Sequence, residues 1–165
     1  MAYSIGDTVV YPHHGAGIIE STEQRDLHGE PCDYLVLRMT YGDLTLMVPA
    51  ATCHEVGVRD VVSGEEVERV LDVLRDPRGE KKGSWSRRFK ENFEKLRSGD
   101  VFLVAEVVRN LTIRDADGLL SAGERRMLAN AKQLLLSELC VAVGKTEQET
   151  DELIRSVMLD AHDAR

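Results

Sequence analysis

Trp85 is the one tryptophan of the chain, and it stands where an acidic protein turns basic. From Arg75 to Arg97 nine Lys/Arg accompany four Asp/Glu, a local balance of +5 within a net charge of -8. An indole beside the cations of Arg87, Arg88 and Lys90 has the chemistry to stack on a nucleobase while the cations hold phosphates. The same ring also opens an apolar series, Trp85, Phe89, Phe93 and Leu96, at helical spacing, which would bury it in a core. Residue types alone leave both uses open.

The remaining reactive side chains form no comparable constellation. His13, His14, His28, Cys32, Cys53 and His54 lack the paired short spacings of a zinc site. The run Gly15-Ala-Gly17-Ile-Ile-Glu20 puts Glu20 where a dinucleotide loop needs a small residue, and it opens a strand, so it reads as a turn. Cys140, inside the apolar run 134–143, reads as a small core residue. No serine or cysteine nucleophile stands in a recognisable motif. Neither an enzyme, a metal nor a cofactor is expected.

Two kinds of element must position these residues. Over residues 1–60 short apolar stretches alternate with turn residues: 7–12 ends at Pro12, 17–22 follows two glycines, and 34–39 and 44–49 flank Tyr41-Gly-Asp43. Four or five strands so spaced predict a small antiparallel barrel. From Ser63 the period changes to that of helices. Ser63-Gly-Glu-Glu66, Ser121-Ala-Gly-Glu124 and Thr146-Glu-Gln-Glu149 are capping-box signatures, a hydroxyl followed three residues on by a glutamate. Breaks at 76–79, 98–100 and 115–118 divide the rest, giving five predicted helices: 64–75, 85–97, 100–114, 122–143 and 147–161. The fold class is thus α+β with two domains, a β domain at 1–60 and an all-α domain at 64–162.

Charge divides along the same line. Residues 1–60 hold three basic and nine acidic side chains, so the barrel is an acidic module and the helical part carries the basic face. A chain of 165 residues, 42% hydrophobic and 30% charged, has the composition of a soluble globular protein. No apolar run approaches the roughly 20 residues of a membrane span. The first residues have neither a basic nor an apolar leader region. Three widely spaced cysteines fit reduced thiols. A cytoplasmic monomer with no membrane association is expected.

Four stretches together resemble the CarD family of bacterial transcription regulators, in its actinobacterial type. They are Gly6-Asp-Thr-Val-Val-Tyr-Pro-His-His-Gly15, Val56-Gly-Val-Arg-Asp-Val-Val62, Trp85-Ser-Arg-Arg-Phe-Lys90 and Leu120-Ser-Ala-Gly-Glu-Arg-Arg-Met-Leu128. The likeness runs over nearly the whole chain in the family's order. It implies a Tudor/SH3-like β domain that binds the β subunit of RNA polymerase. It also implies a helical domain that meets promoter DNA at the upstream edge of the transcription bubble, with a location at the nucleoid through polymerase. By the same resemblance Trp85 wedges into the minor groove at the melted junction, with Arg87, Arg88, Lys90 and Arg125 on the DNA-facing surface. Arg25 and Met47 fall at polymerase-contacting positions. Two departures stand out: Met47 replaces a common arginine, and Asn110-Leu-Thr-Ile113 lacks aromatic and basic side chains usual in relatives.

Charge and resemblance support one mechanism. A protein of net charge -8 with a single +5 patch should hold free duplex weakly, because counterion release scales with the phosphates neutralised. A foothold on polymerase makes the DNA contact intramolecular, at an effective concentration up to roughly millimolar. Sequence preference should be weak, since a wedge and phosphate contacts carry little base code. Two alternatives stay in view: an adaptor on polymerase without productive DNA contact, and a small metal- or thiol-dependent enzyme. Arg25 has its own alternative, a pair with Glu23 or Asp26 inside the barrel, and Met47 another, a place in the barrel core.

Overall fold

Proline and paired left-handed residues set the strand ends. Strand β1 (Thr8–Tyr11) stops at Pro12, which has no N–H to continue the ladder. The chain reverses through His13 and Gly15, both at positive φ, into β2 (Gly15–Leu27). His28 and Gly29, at φ 54 and 85, form the tight two-residue turn into β3 (Glu30–Met39). Gly42 and Asp43, again at positive φ, lead to β4 (Thr45–Pro49). A 3-10 turn at Ala50–Thr52 precedes β5 (Arg59–Asp60). The computed structural model describes residues 3–78 and 83–163, so Gly79, Glu80, Lys81 and Lys82 of the basic stretch lie outside the described residues.

These strands make one antiparallel sheet in the order β4-β3-β2-β1-β5. Val9, Ile19, Leu35, Leu37, Met39, Val48 and Cys53 bury its inner face. The expected barrel is corrected to an open sheet with β4 and β5 at its edges. The reason is length: β5 has two residues, and both pair with β1, so nothing bridges to β4. The β2–β3 hairpin is also longer than expected, with pairing from Gly17↔Met39 out to Leu27↔Glu30.

The helices are α1 (Gly64–Arg75), α2 (Trp85–Arg97), α3 (Val101–Ala116), α4 (Ala122–Val143) and α5 (Glu147–Asp163). All three capping boxes form. Ser63 and Ser121 accept from the N–H groups of Glu66 and Glu124, whose carboxylates reciprocate. Thr146 and Glu149 do the same at α5. Asp100 caps α3 by accepting from the N–H of Phe102 at 2.8 Å, so it stands just outside the helix. Val70, Leu74, Leu96, Val107, Val108, Leu111, Ala131, Leu135 and Leu139 fill the core between helices. Cys140 is half-buried rather than a core residue, because it sits at the end of α4 where the packing thins. Among the described residues no single helix is long and apolar enough to cross a membrane.

Sheet and helices share a polar interface. Arg59 of β5 donates two hydrogen bonds to Glu138 of α4, at 2.7 and 2.8 Å, and a third to the Gly99 carbonyl at 2.9 Å. Glu138 also accepts from the N–H of Val62 at 3.0 Å. The N–H of Ala16 donates to Ser137 Oγ at 3.0 Å. Gly15 is required here, since a Cβ would stand 2.5 Å from Ser137 Oγ at a φ of +82. Tyr41 reaches Glu147 at the start of α5, and burial together with this carboxylate pushes its phenol well above the ordinary range.

Candidate functional site

The first turn of α2 presents the aromatic and basic residues together. Ser84 caps the helix, its Oγ accepting from the N–H of Arg87 at 3.3 Å. No acidic residue occupies that turn, so the positive end of the helix dipole adds to the side-chain cations. The apolar series splits. Leu96 is buried, Phe89 packs partly against the helical core, and Phe93 and Trp85 are 42% and 47% exposed. Trp85 therefore lies outside the core, although it is not loose. Its ring stacks on Phe89 with centroids 5.2 Å apart, and its N–H donates to Glu124 Oε1 at 3.0 Å and, at longer range, to Ser121 Oγ at 3.4 Å.

The cations around it differ in commitment. Arg87 is well exposed and pairs with Glu91 at 3.1 Å one turn along α2. Such exposed pairs are worth only about 0.3–0.5 kcal/mol, so a phosphate can replace the carboxylate at little cost. Arg88 is half-buried and donates to the Gly83 carbonyl, which leaves it less available than Arg87. Lys90 is exposed on α2, and Arg125 is exposed in the first turn of α4. The Trp85–Glu124 contact joins the N-terminal ends of these two helices, so all five expected DNA-facing residues occupy one end of the helical domain.

A second group lies on the outer face of the sheet. Met47 stands across from Val36, and Val36 across from Ser21, while Leu46 and Val48 turn to the core. Met47 is thus an outer-face residue, half-buried. Glu23 pairs across from Tyr34 and Arg25 from Cys32, positions of the same parity as Ser21, so Arg25 and Met47 share one face. Arg25 makes the pair with Glu23 that its sequence neighbourhood allowed, at 3.2 Å with both partners exposed.

Two residues that hold the arrangement escaped the sequence reading as site residues. Glu124 was legible as a capping residue through its spacing from Ser121, but nothing in the spacing linked it to Trp85. Arg59 lies inside the motif 56–62, yet its partner is 79 positions away.

The structure is that of a two-part protein, an acidic sheet module packed through polar contacts on a helical module with an aromatic, basic tip. Family models match both parts: the CarD-like/TRCF RID domain over residues 3–62 and the CarD C-terminal domain over residues 69–155. The chain belongs to the CarD family of transcription regulators. It is similar to the Bacillus subtilis (strain 168) protein named "Putative transcription factor YdeB", with 35% identity over 147 residues covering 89% of this chain and 96% of that protein.

Proposed function

We propose that this regulator binds the β subunit of RNA polymerase through the outer face of its sheet and stabilises the promoter open complex with the tip of its helical domain. The observation that carries the reading is Trp85: a large aromatic side chain, 47% exposed, held at a helix N-terminus among Arg87, Arg88, Lys90 and Arg125. With one face against Phe89, the indole has its other face available to a base. Intercalation into intact duplex costs a few kcal/mol of unstacking, whereas a base at the bubble edge has already lost a stacking neighbour. Stacking there is worth about 1–3 kcal/mol. Applied only to the open state, that energy favours it by roughly 5- to 150-fold.

The acidic sheet supports the same division of labour, since it would repel DNA and is free to meet a protein. Its exposed Arg25 offers a charge-assisted contact to a partner carboxylate, and Met47 an adaptable apolar one. Output should rise at promoters whose open complex collapses quickly and fall where escape limits the rate.

The test is open-complex lifetime on a defined promoter with wild-type protein and Trp85→Ala. The variant should shorten the lifetime several-fold, retain polymerase binding and melt within a few degrees of wild type. A fully buried tryptophan would cost about 3–5 kcal/mol of stability on truncation, a loss too large to miss. An unchanged lifetime in a folded variant would reject the wedge.

A further inference from the structure

We infer that Glu124 is a positioning residue for the Trp85 ring, and that Arg114 and Ser121 hold Glu124 for that task. The inference rests on the proposed role of Trp85 at the DNA junction. Indole has a single polar atom, a donor. Here that donor meets a carboxylate oxygen at 3.0 Å, a charge-assisted hydrogen bond across 39 residues of sequence. Glu124 itself is only 1% exposed. A buried carboxylate needs every oxygen engaged, and this one is bound from three elements. Oε1 takes the indole N–H of α2 and the Ser121 N–H at 3.3 Å, while Oε2 faces Arg114 Nε of α3 at 3.5 Å, an ion-pair contact. Arg114 in turn reaches the Leu119 carbonyl at 3.4 Å.

An ordinary capping box needs only the serine and the glutamate of its own helix. The added indole and guanidinium make this one a junction of α2, α3 and α4. Its effect on the ring is specific. Stacking on Phe89 fixes the plane, and the hydrogen bond fixes rotation within the plane, so the N–H edge points inward and the rest of the free face outward. A ring pre-set in this way does not lose its rotamer freedom when it meets DNA, a saving equivalent to about two- to tenfold in the stability of the contact. The capping residue of one helix thereby sets the aim of a side chain on another.

Trp85 is the only tryptophan, so its fluorescence reports the ring directly. Acrylamide quenching and emission anisotropy should be measured on the full chain as wild type, Glu124→Gln and Glu124→Ala, with open-complex lifetime and a thermal melt on these and on Trp85→Phe, which has no tryptophan to report. Glutamine keeps one oxygen acceptor but loses the charge and the pairing with Arg114, so Glu124→Gln should loosen the ring and shorten the lifetime less than Glu124→Ala does. Glu124→Ala should raise quenching, lower anisotropy and shorten the lifetime about two- to tenfold. Trp85→Phe keeps a ring but has no N–H, so adding Glu124→Ala to it should shorten the lifetime no further. If Glu124→Ala leaves quenching and anisotropy unchanged, or shortens the lifetime equally in the Trp85→Phe background, the positioning role is wrong. If Glu124→Ala does not fold, Glu124→Gln still decides, alone and in the Trp85→Phe background: quenching and anisotropy at wild-type values, or a lifetime shortened equally without the indole, overturn the inference. Failure of the DNA role itself reads differently, as a lifetime unmoved by Trp85→Ala while quenching still responds to Glu124.

Discussion

Replacing Glu138 by glutamine tests whether sheet and helices behave as one unit. The carboxylate is 4% exposed and receives two guanidinium hydrogen bonds from Arg59 and one from the Val62 N–H. The amide keeps one acceptor, loses the charge, and brings an NH2 group toward donors that cannot accept it. Breaking a buried pair from one side costs about 3–5 kcal/mol. Arg59 is 31% exposed and can recover some hydration, which places the expected loss near the lower end, about 3 kcal/mol. For a chain of this size each kcal/mol moves the melting midpoint by about 2–4 °C, so Glu138→Gln should melt roughly 6–12 °C lower. Wild type should unfold in one transition seen equally by far-ultraviolet circular dichroism and Trp85 emission. The double variant Arg59→Met with Glu138→Met should recover much of the loss, because it removes both charges instead of orphaning one. A Glu138→Gln midpoint within about 2 °C of wild type would refute this role for the Arg59–Glu138 pair, as would a wild-type melt whose two probes separate.

The other predictions concern single sites. Arg25→Glu places like charges at positions 23 and 25 on an exposed face, so it should weaken binding to the polymerase β subunit while the melt shifts little; a large stability loss with binding retained would mean the Glu23 pair is structural. Met47→Arg should fold normally, given its outer-face position, and tighten binding to an actinobacterial-type β subunit by restoring a charged contact; a titration by interferometry checks the affinity and a melt checks the fold. Asp76 is held at about pKa 2, below its ordinary 3.8, chiefly by hydrogen bonds from Arg78. Because its folded pKa is depressed, the stability it contributes is fully present above about pH 4 and fades as pH falls toward 2. The melt of Asp76→Asn should therefore approach that of wild type across this window, and a difference that stays constant from pH 5 to pH 2 would contradict it.

The helices were readable because their signals are local. A capping box spans four residues, and the three read from Ser63 onward form where the spacing puts them, with starts at Gly64, Ala122 and Glu147. The helical and sheet periods separate cleanly at Ser63. The far half of the β2–β3 hairpin was not readable, since Glu23, Gln24, Arg25 and Asp26 bury no face and so show no alternation. Closure of the sheet was equally hidden, because it depends on whether two distant edges pair and no single strand carries that information.

Chemistry at the tip divides in the same way. The sequence alone determined that an indole stands among cations at the start of a helix, and that Ser121 and Glu124 cap another. Whether Trp85 was core or surface it could not determine, for an amphipathic helix offers the same spacing to either side. Tertiary packing decided it: Leu96 turns inward, Phe89 lies at the boundary, and Trp85 is left half-exposed with its N–H on Glu124. Met47 is the parallel case, one of three consecutive apolar residues whose facing was set only by its register with Val36. Caps and periods are interactions within a few residues, so the chain writes them down in order. The Trp85–Glu124 and Arg59–Glu138 contacts join residues 39 and 79 positions apart, and only the packing of whole helices on each other and on the sheet brings such groups within hydrogen-bond reach.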